Sequence, residues 1–293
     1  MYEFRCPVTA EQVEPLDTHL LENGFQHWTI QNDALAKTWH LCGYFDEDTE
    51  GRMDYMVLQS AFAGLPETLE CLQLQDRDWK ESYKLHFKPI NFGGLHWVPL
   101  WERDNYQAPA ADAVILLDPG MAFGTGAHET TRLCAKRLLE TRNLCSKSLA
   151  NKVIIDAGCG SGILALSAVA LGFVKVSGFD IDDEAVRISR ENAELNALGG
   201  KVQFYTADLE NGLKGKKADI LLANIQADVL LKHMELLLRS VVPGGVLVLS
   251  GILATEAVEL EQEFLDKAAV IWGAVHCRAE RDGEWVGVTL WRE

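Results

Sequence analysis

The chain has 293 residues, 48% of them hydrophobic and 24% charged, which excludes a disordered, collagenous or fibrous protein and leaves room for one large domain with a small companion. A formal net charge of −16 repels phosphate backbones, so direct nucleic-acid binding is not expected, while a basic partner is attracted. The seven cysteines are scattered, with no Cys-x-x-Cys pair and no histidine cluster, so no metal is expected and a reducing compartment fits.

Tyr2 to Val8 alternates like a strand. Glu11 to Asn23 places Val13, Leu16, Leu20 and Leu21 at helical spacing before Gly24, a helix with a stop. Gln26 to Ile30 and Lys37 to Phe45 read as strands, Thr49 to Ala63 as a helix capped by Asp48, and Glu67 to Leu74 as a strand. This β-α-β-β-α-β order predicts a small ferredoxin-like α+β domain over residues 1–76. Of the first 60 residues 11 are acidic and three (Arg5, Lys37, Arg52) are basic, so this unit carries much of the negative charge. Residues 77–110 read as a connector with a short helix from Asp78 to Phe87. Its aromatics, among them Trp79, Tyr83, Phe92, Trp97 and Trp101, are expected to pack an interdomain surface.

Residues 111–293 alternate strand and helix. Strands are predicted at Val153 to Ala157, Val174 to Phe179, Val202 to Thr206, Ile220 to Ala223 and Val246 to Ser250. Helices are predicted at Gly162 to Leu171, Asp183 to Leu195, Ala227 to Val241 and Thr255 to Ala268. Such alternation signals an α/β fold with a mostly parallel, Rossmann-like sheet covered on both faces. Two extended segments, Val270 to Arg278 and Trp285 to Trp291, close the chain as a hairpin about Asp282-Gly283. The apolar run from Ile163 to Val174 is too short to span a bilayer. No basic segment leads into an apolar core at the start, and a soluble, cytoplasmic monomer is expected.

The turn after the first strand of this domain reads Asp156-Ala157-Gly158-Cys159-Gly160-Ser161-Gly162. Dinucleotide-binding turns read Gly-x-Gly-x-x-Gly, but here Ile163 stands where the third glycine belongs. Asp156 repels a pyrophosphate and favours the ammonium of an amino-acid moiety. That asymmetry points to S-adenosylmethionine as cofactor and away from a nicotinamide dinucleotide. Asp180 ends the next strand, where a carboxylate accepts both ribose hydroxyls. Asp182 suits a helix cap, and Asp208, after the third strand, is placed for the adenine amino group. Upstream, the glycine-rich run from Asp118 to Thr131 leads into a helix at Thr131, whose hydroxyl is expected to face outward at a positive helix end and to close over the methionine part. Asn224 ends the fourth strand. It is the candidate catalytic residue, able to accept a hydrogen bond from an acceptor amine and aim its lone pair. His128 is the nearest candidate for proton handling.

Several of these runs resemble the signature of the bacterial ribosomal protein L11 methyltransferases. They are Leu117-Asp118-Pro119-Gly120 through Phe123-Gly124-Thr125-Gly126-x-His128-x-Thr130-Thr131, Asp156-x-Gly158-Cys159-Gly160-Ser161-Gly162, Gly178-x-Asp180-Ile181-Asp182 and Ala223-Asn224-Ile225. The connector matches in Asp78-Trp79, Phe87-x-Pro89 and Trp97-x-x-x-Trp101. The resemblance implies a class I methyltransferase domain preceded by a domain that recognises the ribosomal protein, with cofactor contacts on Thr131, Gly158, Asp180 and Asn224. Glu129 and Gln226 depart from it, standing where the family usually has proline and leucine. The rival readings are the same chemistry on another protein or a small amine, and a cofactor-binding assembly factor without catalysis.

Overall fold

The structure is a computed structural model that describes residues 2–22, 25, 27–33, 38–73, 88–117, 129–144 and 149–293. The chain divides into two compact units, Met1–His86 and Phe87–Glu293. In the first, β1 (Tyr2–Val8), α1 (Ala10–Glu22), β2 (Trp28–Asp33), β3 (Thr38–Phe45), α2 (Asp48–Ala61) and β4 (Glu70–Gln73) follow one another. They form an antiparallel sheet in the order β2-β3-β1-β4, the expected ferredoxin-like arrangement. Alternation along β1 turns Phe4, Cys6 and Val8 inward against Leu16 and Leu20 of α1 and Tyr55 and Leu58 of α2. Each such side chain contributes roughly 1.5–3 kcal/mol on burial. Asp48 does not cap α2 as expected. The N-cap is Glu47, which makes no side-chain cap bond, and Asp48 accepts a hydrogen bond from Arg52 Nε at 2.9 Å one turn later.

In the second unit, β5 (Ile90–Asn91), β6 (Leu95–Pro99) and β7 (Ala113–Leu117) make a three-stranded sheet in which β6 and β7 run parallel. Trp97 is 2% exposed and donates to Ser167 Oγ at 2.9 Å, with Phe92 edge-on to it at 4.6 Å. These two aromatics therefore belong to the core of this unit rather than to an interdomain surface, because β6 is paired into its sheet. The helix expected from Asp78 to Phe87 lies outside the described residues.

The main body comprises α3 (Glu129–Leu144), β8 (Val153–Ala157), α4 (Ile163–Ala170), β9 (Lys175–Asp180), α5 (Asp183–Leu195), β10 (Val202–Thr206), α6 (Leu209–Leu213) and β11 (Ala218–Asn224). It continues with α7 (Ala227–Lys232), α8 (Met234–Arg239), β12 (Val241–Leu253), α9 (Ala257–Trp272), β13 (Val275–Asp282) and β14 (Trp285–Arg292). The sheet order is β10-β9-β8-β11-β12-β14-β13, parallel from β10 to β12, with β14 antiparallel between β12 and β13. Ile154, Ile220, Leu222 and Val248 face one core and Ile155, Leu221, Leu247 and Leu249 the other. Burial on both faces explains why these strands read as unbroken apolar runs. The strand order reverses between β8 and β11, and a crevice opens there at the carboxyl ends of the strands.

Two helices differ from expectation. The single helix predicted from Ala227 to Val241 breaks at His233 (φ −107°, ψ 15°) into α7 and α8, and Val241 already belongs to β12. The helix predicted to end at Ala268 runs to Trp272, whose Nε1 donates to Leu238 O at 3.0 Å. That tertiary bond outweighs the strand preference of Val270 and Ile271, so the hairpin begins at Val275.

Candidate active site

The loop from Gly158 to Gly162 is tied to the end of β9. The Gly158 and Cys159 amides both donate to Phe179 O, at 2.9 and 3.0 Å, and the Gly160 amide donates to Asp180 Oδ2 at 2.9 Å. Gly158 has φ +75°, and a Cβ there would come within 2.4 Å of Ile225 Cγ2. Only glycine lets this backbone lie so close to the β11–α7 junction. Gly162, at φ +79°, is the N-cap of α4.

Beside the loop lies a cavity of about 810 Å³, within the range of small-molecule sites. Gly158, Gly160, Asp180, Asp208 and Asn224 line it, together with Ile181, Ile225, Gln226, Val229, His233 and Trp285. Five of the eight expected residues thus meet at one surface, while Thr131, Asp156 and Gly162 stand behind it.

Asp180 is held at the cavity wall with Oδ2 on the Gly160 amide and Oδ1 accepting from the Asp182 amide at 3.1 Å. Asp182 caps α5 as expected, accepting from the Glu184 amide at 2.9 Å. Asp208 lines the cavity but also caps α6, where its oxygens accept the Asn211 amide at 2.7 Å and Asn211 Nδ2 at 2.9 and 3.0 Å. A helix cap is the alternative that the sequence offers for this aspartate, and Asp208 makes that cap. Asp156 is 1% exposed; Oδ2 accepts the Ala165 amide at 3.1 Å and Oδ1 has no hydrogen-bond partner among the described residues. Burial pushes its carboxyl up to about 7, the Ala165 bond opposes the rise, and the negative charge of Asp180 adds to it.

Thr131 corrects another expectation. Helix α3 begins at Glu129, so Thr131 lies inside the first turn, 1% exposed, rather than facing outward. Its Oγ1 accepts a hydrogen bond from Asn224 Nδ2 at 3.2 Å. With the amide nitrogen so engaged, Asn224 Oδ1 is buried with no partner among the described residues, an acceptor at the cavity wall. Glu129 opens α3 and pairs with Arg132 at 3.1 Å, and Gln226 is the N-cap residue of α7 without a side-chain cap bond. The glycine-rich run 118–128, with His128, lies outside the described residues.

The sequence reading passed over the apolar and aromatic walls. Ile181, 76% exposed, carried a faint signal as an apolar residue between two aspartates at a strand end. Trp285 carried none. It reaches the cavity because β14 inserts beside β12, pairing Trp285 with Leu253.

The profile of the family described as ribosomal protein L11 methyltransferase (PrmA) matches residues 3–293. A ribosomal protein L11 methyltransferase of Shigella sonnei is 39% identical over 286 residues, covering 92% of this chain and 93% of the relative. One from Aeromonas salmonicida is 40% identical over 275 residues, covering 88% and 89%. Among solved structures, a ribosomal protein L11 methylase from Lactobacillus delbrueckii subsp. bulgaricus superimposes with a TM-score of 0.59 at 30% identity, covering 71% of this chain and all of that one. Sequence signature, strand order and near full-length similarity agree, and the chain belongs to the ribosomal protein L11 methyltransferase family.

Proposed function

We propose that this protein transfers methyl groups from S-adenosylmethionine to amino groups of ribosomal protein L11, lysine side chains or the N-terminal amine. The observation that carries the reading is Asn224. Its amide is oriented by Thr131, and its buried Oδ1 waits without a partner among the described residues beside the glycine loop. An orphaned buried acceptor costs ~1–3 kcal/mol, a cost that a donor arriving in the cavity would remove.

The residues present fit the cofactor. The positive-φ glycine at 158 keeps the loop backbone packed on Ile225 at the cavity wall, where any Cβ would strike that side chain, Asp180 offers ribose hydroxyls a fixed carboxylate, and Asp208 stands for the adenine amino group. Asp156, beneath the loop with one unsatisfied oxygen, supplies countercharge for the methionine ammonium. Bound S-adenosylmethionine supplies a methyl group already activated by its sulfonium. What remains for the protein is to align a neutral amine. A lysine with pKa about 10.4 costs ~4 kcal/mol to neutralise near pH 7.5, whereas an α-amine with pKa about 8 costs less than ~1 kcal/mol. Enclosure between Ile181, Ile225 and Trp285 lowers either value by desolvation. Asn224 Oδ1 then accepts one N–H and turns the amine's lone pair toward the methyl group. An amide is no base, so the role is positioning of a bound reactant.

In this reading residues 1–76 recognise the protein substrate, 77–110 connect, and 111–293 perform the chemistry. The protein works as a cytoplasmic monomer on a basic partner without contacting nucleic acid. The large negative charge supports that partner choice. Among the described residues no helix is long and apolar enough to cross a membrane. The test is Asn224→Ala. Methyl transfer is expected to fall at least a hundredfold while cofactor affinity stays within a few-fold, and a near wild-type rate with intact cofactor binding would rule the role out.

A further inference from the structure

Helix α2 carries two faces of opposite character. Gly51, Tyr55 and Leu58 are buried in the core of the first unit. On the other side Met53, Met56 and Val57 are 69%, 68% and 57% exposed. The spacing i, i+3, i+4 sets the three side chains together on one stripe of the helix. Single exposed apolar residues are ordinary, but a contiguous group marks a contact surface. Methionine suits that role, because its flexible, polarisable side chain adapts to the shape of a partner. The surroundings are acidic. Glu47 and Glu50 are exposed at the N-terminal end. Asp48 is paired with Arg52 at 2.9 Å, and Asp54 accepts from Trp28 Nε1 at 2.8 Å.

We infer that the outer face of α2 is the docking surface for the protein substrate, which meets it with an apolar patch flanked by lysine or arginine. The inference rests on the proposed function for the identity of that partner. Charge decides between a basic protein and a second copy of this chain. With 11 acidic and three basic residues in the first 60, two copies set face to face would oppose like charges, whereas a basic partner gains complementarity. The exposed Leu72 of β4, 61% exposed and opposite Glu3 in the sheet register, stands outside the stripe and serves as the control.

The test uses the full chain with purified L11 and two readouts, direct binding by calorimetry and methyl transfer from labelled S-adenosylmethionine. The double variant Met53→Lys with Met56→Lys removes the apolar contact and repels a basic partner. Both side chains are exposed, so the fold is expected to survive, checked by circular dichroism. L11 affinity is expected to fall at least tenfold and KM for L11 to rise in step, with kcat and KM for the cofactor unchanged. Met53→Leu with Met56→Leu is expected to retain wild-type affinity, and Leu72→Lys to change it less than twofold. Unchanged L11 affinity in the lysine variant overturns the inference. So does a wild-type dimer that the variant dissolves without any loss of L11 binding, which would make the face a contact between copies. Wild-type binding that the lysine variant loses, with no methyl transfer by either, would instead sink the proposed function and leave the docking surface supported.

Discussion

Replacing Asp156 by asparagine tests the electrostatics beneath the glycine loop. The side chain is 1% exposed, takes one backbone N–H from Ala165 and leaves Oδ1 without a partner among the described residues. Asparagine keeps the size and the acceptor for Ala165 but cannot ionise. In the folded protein the carboxyl is pushed from an ordinary 3.8 up to about 7 by burial, which amounts to ~4 kcal/mol against the charged form. Between these two values the unfolded chain has lost the proton that the folded chain retains. Stability therefore falls as pH rises from about 4 to about 7, and is level above that. The stability of Asp156→Asn minus that of wild type, from urea unfolding at each pH, is expected to grow across this window by up to ~4 kcal/mol and then flatten. Subtracting the two curves removes every other titrating group. A difference that stays constant from pH 4 to pH 8 would show that Asp156 ionises normally and would refute the argument.

Cofactor binding should follow the same group: if the ionised Asp156 balances the methionine ammonium, wild-type Kd for S-adenosylmethionine falls as pH rises through about 7, and calorimetry on Asp156→Asn shows no such slope. Gly158→Ala places a Cβ 2.4 Å from Ile225 Cγ2 at φ +75°. The left-handed backbone and the overpacking together cost ~2–4 kcal/mol, to be read as a lower Tm along with weaker cofactor binding. Thr131→Val removes the acceptor of the Asn224 amide; a neutral hydrogen bond is worth ~1 kcal/mol, so kcat should fall about fivefold with the fold intact by circular dichroism. Asp180→Ala deprives the Gly160 and Asp182 amides of their acceptor and is expected to weaken cofactor affinity at least tenfold in the same calorimetric assay.

The parts of this molecule that were legible in the sequence are those set by short-range patterning. The strand from Val153 to Ala157 and the loop after it follow from an apolar run ending in closely spaced glycines, and Asp180 from its place at the next strand end. The β-α-β-β-α-β order of the first unit followed likewise from periodicity. What stayed hidden depends on distant chain segments. The run from Ala227 to Leu238 keeps helical apolar spacing straight through His233, so nothing local announces the break into α7 and α8. The burial of Thr131 follows from its bond to Asn224, 93 residues away in sequence. Trp285 becomes a cavity wall only because β14 slips between β12 and β13. Asp208 looks the same in sequence whether it meets a ligand or caps α6, and the structure shows the cap. Short-range chemistry thus marks the glycine loop, while the wall at Trp285 and the Thr131–Asn224 bond are made by tertiary pairing.

The most direct test of the account is the mass of purified ribosomal protein L11 after incubation with this enzyme and S-adenosylmethionine. The account predicts increments of one methyl group, located by fragmentation on lysine side chains or the N-terminal amine, and their loss with Asn224→Ala. An L11 mass that does not change while the enzyme binds S-adenosylmethionine, or methyl groups found on atoms other than amine nitrogens, would contradict it.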